Sequence, residues 1–159
     1  MARGLSIVGA ALLAAGLTWP GWALLVADEA GIVRWRVPVS EGTPVVLQYT
    51  NSLYLAPTWE QFVIRNGRLE MVSMSSTREA VLEYNRLAPP YRREGSRVTA
   101  PVSGMALAVL PLRVGERGRP VLTVSGATVP LYQAGVGAGL RISVRRESRL
   151  LARLGIRTP

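Results

Sequence analysis

The chain has 159 residues, 48% hydrophobic and 18% charged, a length for about one domain, and its 19 basic residues, all Arg, against ten acids give +9 at neutral pH. There is no His and no Cys, which excludes imidazole general bases, thiolate nucleophiles, disulfides and Cys/His metal sites. With one Asp and nine Glu a multi-carboxylate metal site is hard to assemble, so the composition argues against a self-contained enzyme and implies no cofactor.

From Leu5 to Ala27 no side chain is charged. As a helix rising about 1.5 Å per residue this run can cross a hydrocarbon core of roughly 30 Å. Arg3 precedes it and Asp28 and Glu29 follow, so the positive-inside tendency puts the main domain outside the cytoplasm. The competing reading is a cleaved signal peptide, with Leu5 to Leu17 as its apolar region and a cut near Ala23 to Ala27. Both divide the chain into a membrane anchor or signal segment, 1–27, and an exported domain, 28–159. The expected location is a single-pass position in the cell membrane with the domain extracytoplasmic. That domain has 18 Arg against ten acids, or +8, a surface drawn to anionic lipid, a small anionic solute or an acidic protein. Nucleic acid is not an expected partner in that compartment.

Gly31 to Val39 alternates apolar and charged residues, with Val33, Trp35 and Val37 set against Arg34 and Arg36. That is the period of a strand with one buried face. Pro44 to Thr50 continues the pattern, with Val45, Leu47 and Tyr49 on one face. Trp59 to Arg65 and Arg68 to Met74 flank Asn66-Gly67, the dipeptide best suited to the two positive φ values of a type I′ hairpin turn. A two-residue turn sets Ile64 opposite Leu69, Phe62 opposite Met71 and Glu60 opposite Ser73, which places Glu60 on the core-facing side. Thr77 to Leu87 reads as a short helix with Thr77 as N-cap, stopped by Pro89-Pro90. Strand patterns resume at Ala106 to Leu112, Val121 to Val124, Val129 to Tyr132 and Leu140 to Arg145. Seven to nine strands at this spacing predict an all-β fold, an antiparallel sandwich or small barrel.

Gly135-Val136-Gly137-Ala138-Gly139 lacks the strand–helix–strand context of a dinucleotide loop and reads as a turn into the last strand. Arg145 to Gly155 has the spacing of a short amphipathic C-terminal helix, suited to headgroups or to docking its leucines on the sheet. Tyr49, Asn51, Ser52, Trp59 and Glu60 gather polar aromatics, an amide, a hydroxyl and a carboxyl at the end of one strand and the start of the next. Such a cluster serves as a ligand or partner contact, or fills the core with its polar tips satisfied. With no Lys, Ser52 lacks the base a nucleophile needs.

The run from Val46 through Tyr49-Thr50-Asn51-Ser52, Pro57 and Trp59-Glu60 to Gly67-Arg68-Leu69 resembles a small bacterial family, domain of unknown function 1850. Leu110 to Gly115 and Gly135 to Arg146 resemble that family's closing strands, so the likeness spans roughly residues 30 to 150. Asn51 stands where the family pattern has histidine, and Ser73 to Leu87 replaces its glycine-rich stretch. The resemblance implies a non-enzymatic accessory to a tripartite solute uptake system of the TAXI type, with transporter subunits as partners. A free-standing binding module for a small anionic solute, using Arg forks, is the alternative. An envelope hydrolase resting on Glu60 alone has too few catalytic groups to stand beside these two.

Overall fold

The structure, a computed structural model, describes residues 20–148. It is all-β: two antiparallel sheets with almost no helix, packed face to face in a sandwich-like arrangement. The smaller sheet has the order β2 (Val33–Val39), β1 (Pro20–Asp28), β11 (Gly139–Ser148), β8 (Val109–Arg113). The larger has the order β10 (Ala127–Val129), β9 (Val121–Val124), β3 (Pro44–Asn51), β4 (Ala56–Arg65), β5 (Arg68–Ser76), β7 (Arg97–Leu107), β6 (Arg92–Glu94). One six-residue helix, α1 (Glu79–Tyr84), follows β5, and a 3₁₀ turn covers Leu131–Ala134.

The first strand changes the reading of residues 20–27 alone. Residues 20–27, expected at the end of a membrane helix, are in β1, paired with β2 on one side and β11 on the other. Leu24 and Val26 point into the common core and are fully buried, while Ala23 and Leu25 are buried on the outer face. The alternation of two side-chain sets explains why this segment reads as continuously apolar: a central strand here is covered on both faces. A boundary between residues 27 and 28 would cut β1 one residue before its end and remove Leu24 and Val26 from the core, and a cut after Ala23 would leave those two on a five-residue remnant of the strand. The preceding part of the apolar run, Leu5 to Trp19, lies outside the described residues, as do residues 149–155 of the expected C-terminal helix. Arg145 to Ser148 of that expected helix are in β11. Among the described residues no helix is long and apolar enough to cross a membrane.

The core lies between the sheets. Leu24, Val26, Val37, Leu140 and Ile142 of the small sheet meet Val45, Leu47, Phe62, Ile64, Leu69 and Leu122 of the large one in a single cluster. Asn66 and Gly67 both have positive φ, 51° and 69°, as a type I′ turn requires, and Ile64–Leu69 and Phe62–Met71 pair as the turn length dictates. Beyond them the register shifts. Gln61 pairs with Ser73 and Glu60 with Met74, leaving Val72 as the extra residue of a bulge. The bulge turns Met74 into the core and Ser73 outward, where its hydroxyl donates to Gln61 Oε1 at 3.0 Å.

Smaller differences have local causes. Strand β2 starts at Val33, but a bulge beside Val26 and Ala27 leaves Val33 exposed, while Val37 stays buried. The run Ala106 to Leu112 is broken at Ala108 between β7 and β8, and Leu131 and Tyr132 turn into the 3₁₀ segment instead of extending β10. The helix cap falls on Arg78, whose side chain makes no cap bond, rather than on Thr77. Strands β6 and β7 carry no clear alternation, and β7 gains extra residues where it passes Val72.

Candidate functional site

Strand β3 sends Val45, Leu47, Tyr49 and Asn51 to the inner side, and the first two are buried in the core. Strand β4 sends Ala56, Thr58, Glu60, Phe62 and Ile64 the same way. Leu47 is the direct cross-strand partner of Glu60, so Tyr49, two residues on, is its diagonal neighbour, within reach of a phenol ring. The Tyr49 hydroxyl donates to Glu60 Oε1 at 2.7 Å. Both groups lie on the wall of a cleft of about 300 Å³ that opens between the end of β3 and edge strand β8. The far wall consists of Leu110, Pro111, Leu112 and Arg113, and the connection through Gly115, Gly118 and Pro120 closes one side. The N–H of Thr50 donates to the Gly118 carbonyl at 2.8 Å and fixes that connection to β3.

Burial raises the Glu60 carboxyl above its ordinary range, and the hydrogen bond from Tyr49, which favours the ionised form, offsets only part of this. The Tyr49 hydroxyl is pushed up by burial first and by the charge and hydrogen bond of Glu60 second. Among the described residues Glu60 has no ion-pair partner. Arg113, on the cleft's far wall, is engaged elsewhere: one Nη donates to Glu29 Oε1 and the other to the Gly137 carbonyl, both at 2.9 Å.

Four of the five residues singled out from sequence meet here. Asn51 and Ser52 line the cleft with Tyr49 and Glu60, but Asn51 Oδ1 is already held in the turn, accepting from the N–H groups of Leu53 and Tyr54 at 3.1 Å. Trp59 does not join them. It is adjacent to Glu60 in β4 and so faces the opposite side of the sheet, where the Arg97 guanidinium stacks 3.8 Å from its ring. The far wall was missed because it depends on how β8, distant in sequence, packs across from β3. Among the described residues no group of three or more acidic side chains is placed to hold a metal, and Glu60 is the only carboxylate lining this cleft.

Compared with protein-family models, curated proteins and solved structures, the chain matches none of them.

Proposed function

We propose that residues 20–148 form a non-catalytic binding domain of the cell envelope whose cleft takes a small polar ligand against the Tyr49–Glu60 pair. The supporting observation is a carboxyl on the inner side of a strand, in an open cleft, answered only by one tyrosine hydroxyl at 2.7 Å. Holding an acid there penalises its ionised form, and a ligand that brings a donor to the carboxyl offsets that cost. The apolar far wall, Leu110 and Leu112, accommodates the ligand's body, and Tyr49 and Glu60 set its orientation.

The chemistry favours a ligand bearing a hydroxyl or ammonium group over the small anionic solute that the net charge suggests. A carboxylate entering this cleft meets Glu60 as a like charge, and the fork of Arg113 is already occupied by Glu29 and Gly137. A lone Glu without His, Lys or Cys is too sparse a set for turnover. Export is supported by the apolar run before Pro20. With β1 claiming residues 20–27, the uncharged stretch Leu5 to Trp19 reaches about 22 Å as a helix, which suits the core of an export signal better than a bilayer of roughly 30 Å. The accessory role beside a TAXI-type system, with its subunits as partners, is supported by the resemblance alone.

Thermal unfolding of the purified protein with a panel of amines, polyols and carboxylates tests this reading. An amine or polyol should raise the Tm of the wild type and leave Glu60→Gln unmoved. A response confined to carboxylates would transfer the site to the anionic reading. No response, with a transporter subunit retained through purification, would favour the accessory role.

A further inference from the structure

Among the described residues, six of the seven large apolar side chains left in solvent lie toward one end of the molecule, and the seventh, Met105, 42% exposed, is in β7 opposite Met71, in the half nearer the Asn66–Gly67 turn. Ile32, Leu53, Leu55, Tyr84 and Val136 are 58–71% exposed, and they sit on four separate connections: β1–β2, β3–β4, α1 and the loop before β11. All four emerge at the end where the cleft opens. Ser52, beside Leu53, lines the cleft, and Arg113 of its far wall bonds Gly137, beside Val136, and Glu29 of the turn that holds Ile32. Tyr84 packs edge-on to Tyr54, with ring centroids 6.1 Å apart. At the opposite end, the connections Ser40–Thr43, Asn66–Gly67 and Ser125–Gly126 expose no large apolar side chain.

We propose that the cleft end is a lipid-docking surface, whose apolar tips seat in the interface of an anionic bilayer with the cleft mouth at the membrane. The tips are mostly aliphatic and rise from separate loops instead of forming one groove. A flat bilayer accommodates such tips, whereas protein hot spots favour Trp, Tyr and Arg and are poor in Leu and Val. Charge has the complementary sign: the connections at this end, 28–32, 77–97 and 113–119, carry eight Arg against six acids, or +2, and Arg86 and Arg117 form no ion pair among the described residues, nor do Glu83 and Glu116 beside them. Leu55 has φ 50°, a left-handed conformation that glycine would adopt without strain, yet it carries an exposed leucine. The nine residues of β1 separate the two ends by about 30 Å, so only one end can lie on a flat membrane.

The inference rests on the export reading but not on the cleft's ligand. The absence of cysteine makes it directly testable, because one introduced cysteine can be labelled alone. An environment-sensitive fluorophore on Val136→Cys should shift to the blue on vesicles of phosphatidylcholine with phosphatidylglycerol, and the same fluorophore on Ser125→Cys, at the opposite end, should not. In the chain beginning at Pro20, which holds every strand and lacks the apolar run before it, Leu53→Ser combined with Leu55→Gly should weaken vesicle binding by about tenfold or more, with the unfolding transition retained. A shift at Ser125 without one at Val136 would place the other end on the membrane and overturn the proposal. Equal binding by the double variant would overturn it too, as would no shift at either position, which would leave the tips to a protein partner. The thermal response tied to Glu60 is independent of all these outcomes.

Discussion

The two ends of this sandwich are built from the same strands by different means. At the hairpin end the connections are short, and those at Ser40–Thr43 and Asn66–Gly67 are answered by hydrogen bonds. The N–H of Asn66 donates to both oxygens of Glu41 at 3.0 and 3.1 Å, the Gly42 N–H donates to the Ile64 carbonyl at 2.8 Å, and the Trp22 ring packs against Gly67. At the cleft end three connections, 77–91, 114–120 and 130–138, are longer, three ion pairs stand at this end, and apolar side chains and a raised carboxyl are left facing outward or into the cleft. Local satisfaction marks the end that holds the fold, and groups left unanswered mark the end that meets something else.

The largest test of the contrast is to remove the strand that joins the ends. A chain beginning at Asp28 lacks β1, which is hydrogen-bonded on both sides and supplies Leu24 and Val26 to the core. Burying a large aliphatic side chain contributes about 2–3 kcal/mol, and a domain's total stability is about 5–15 kcal/mol. The 28–159 fragment is therefore expected to show no cooperative unfolding, and a chain beginning at Pro20 to unfold as one unit. A cooperative transition in 28–159 would show that β1 is dispensable.

Gly67→Ala tests the hairpin end alone. The residue has φ 69°, and an added Cβ would lie 2.6 Å from two carbons of the Trp22 ring, a rigid neighbour. Left-handed strain of about 1 kcal/mol and displacement of the ring together predict a loss of about 2–3 kcal/mol, measured by denaturant unfolding. A loss well below that would mean that Trp22 moves freely and that the hairpin end is less fixed than its contacts imply.

Two variants test the cleft. Tyr49→Phe removes the donor to Glu60, and a loss of about 1 kcal/mol at neutral pH is expected. The pH dependence of Glu60 has a definite sign. Its folded pKa is raised by burial above the ordinary 4.5, so the folded state holds the proton more tightly than the unfolded chain does. Stability contributed by the neutral acid is then present at low pH and is lost as pH rises from about 4.5 through the raised value. Glu60→Gln should abolish that segment of the profile while still accepting from Tyr49. An unchanged slope in Glu60→Gln would assign it to another group.

The same contrast divides what could be read from sequence. The hairpin end was legible because Asn66-Gly67 and the alternation around it are local signals: turn type and adjacent pairs follow from neighbours in the chain. The placement of Glu60 on the inner side also followed from period two, although the bulge at Val72 changed its partner from Ser73 to Met74. What failed depended on distant packing. Residues 20–27 gave no alternation because both faces of β1 are covered, and an apolar run of that kind has the same appearance as half a membrane helix. Trp59 was grouped with Glu60 by adjacency in sequence, and adjacency in a strand is what sends them to opposite faces. The far wall of the cleft required knowing that β8 lies at the sheet edge opposite β3, which no local pattern encodes.

The smallest expected effect separates the ends most finely, because it changes sign between them. Leu55→Gly relieves a left-handed backbone at φ 50°, and its exposed side chain gives up little burial. Left-handed strain in a non-glycine residue is about 1–2 kcal/mol, and the entropy that glycine adds to the unfolded chain returns about 0.5–1 kcal/mol of it. The net is a gain of about 0.5 kcal/mol, a small rise in denaturation midpoint with unchanged slope. At Gly67, adding a side chain to a left-handed residue costs stability; at Leu55, removing one restores it. A loss of stability in Leu55→Gly would show that the leucine packs within the fold, and the turn would then belong with the hairpin end, whose side chains are held by their own neighbours.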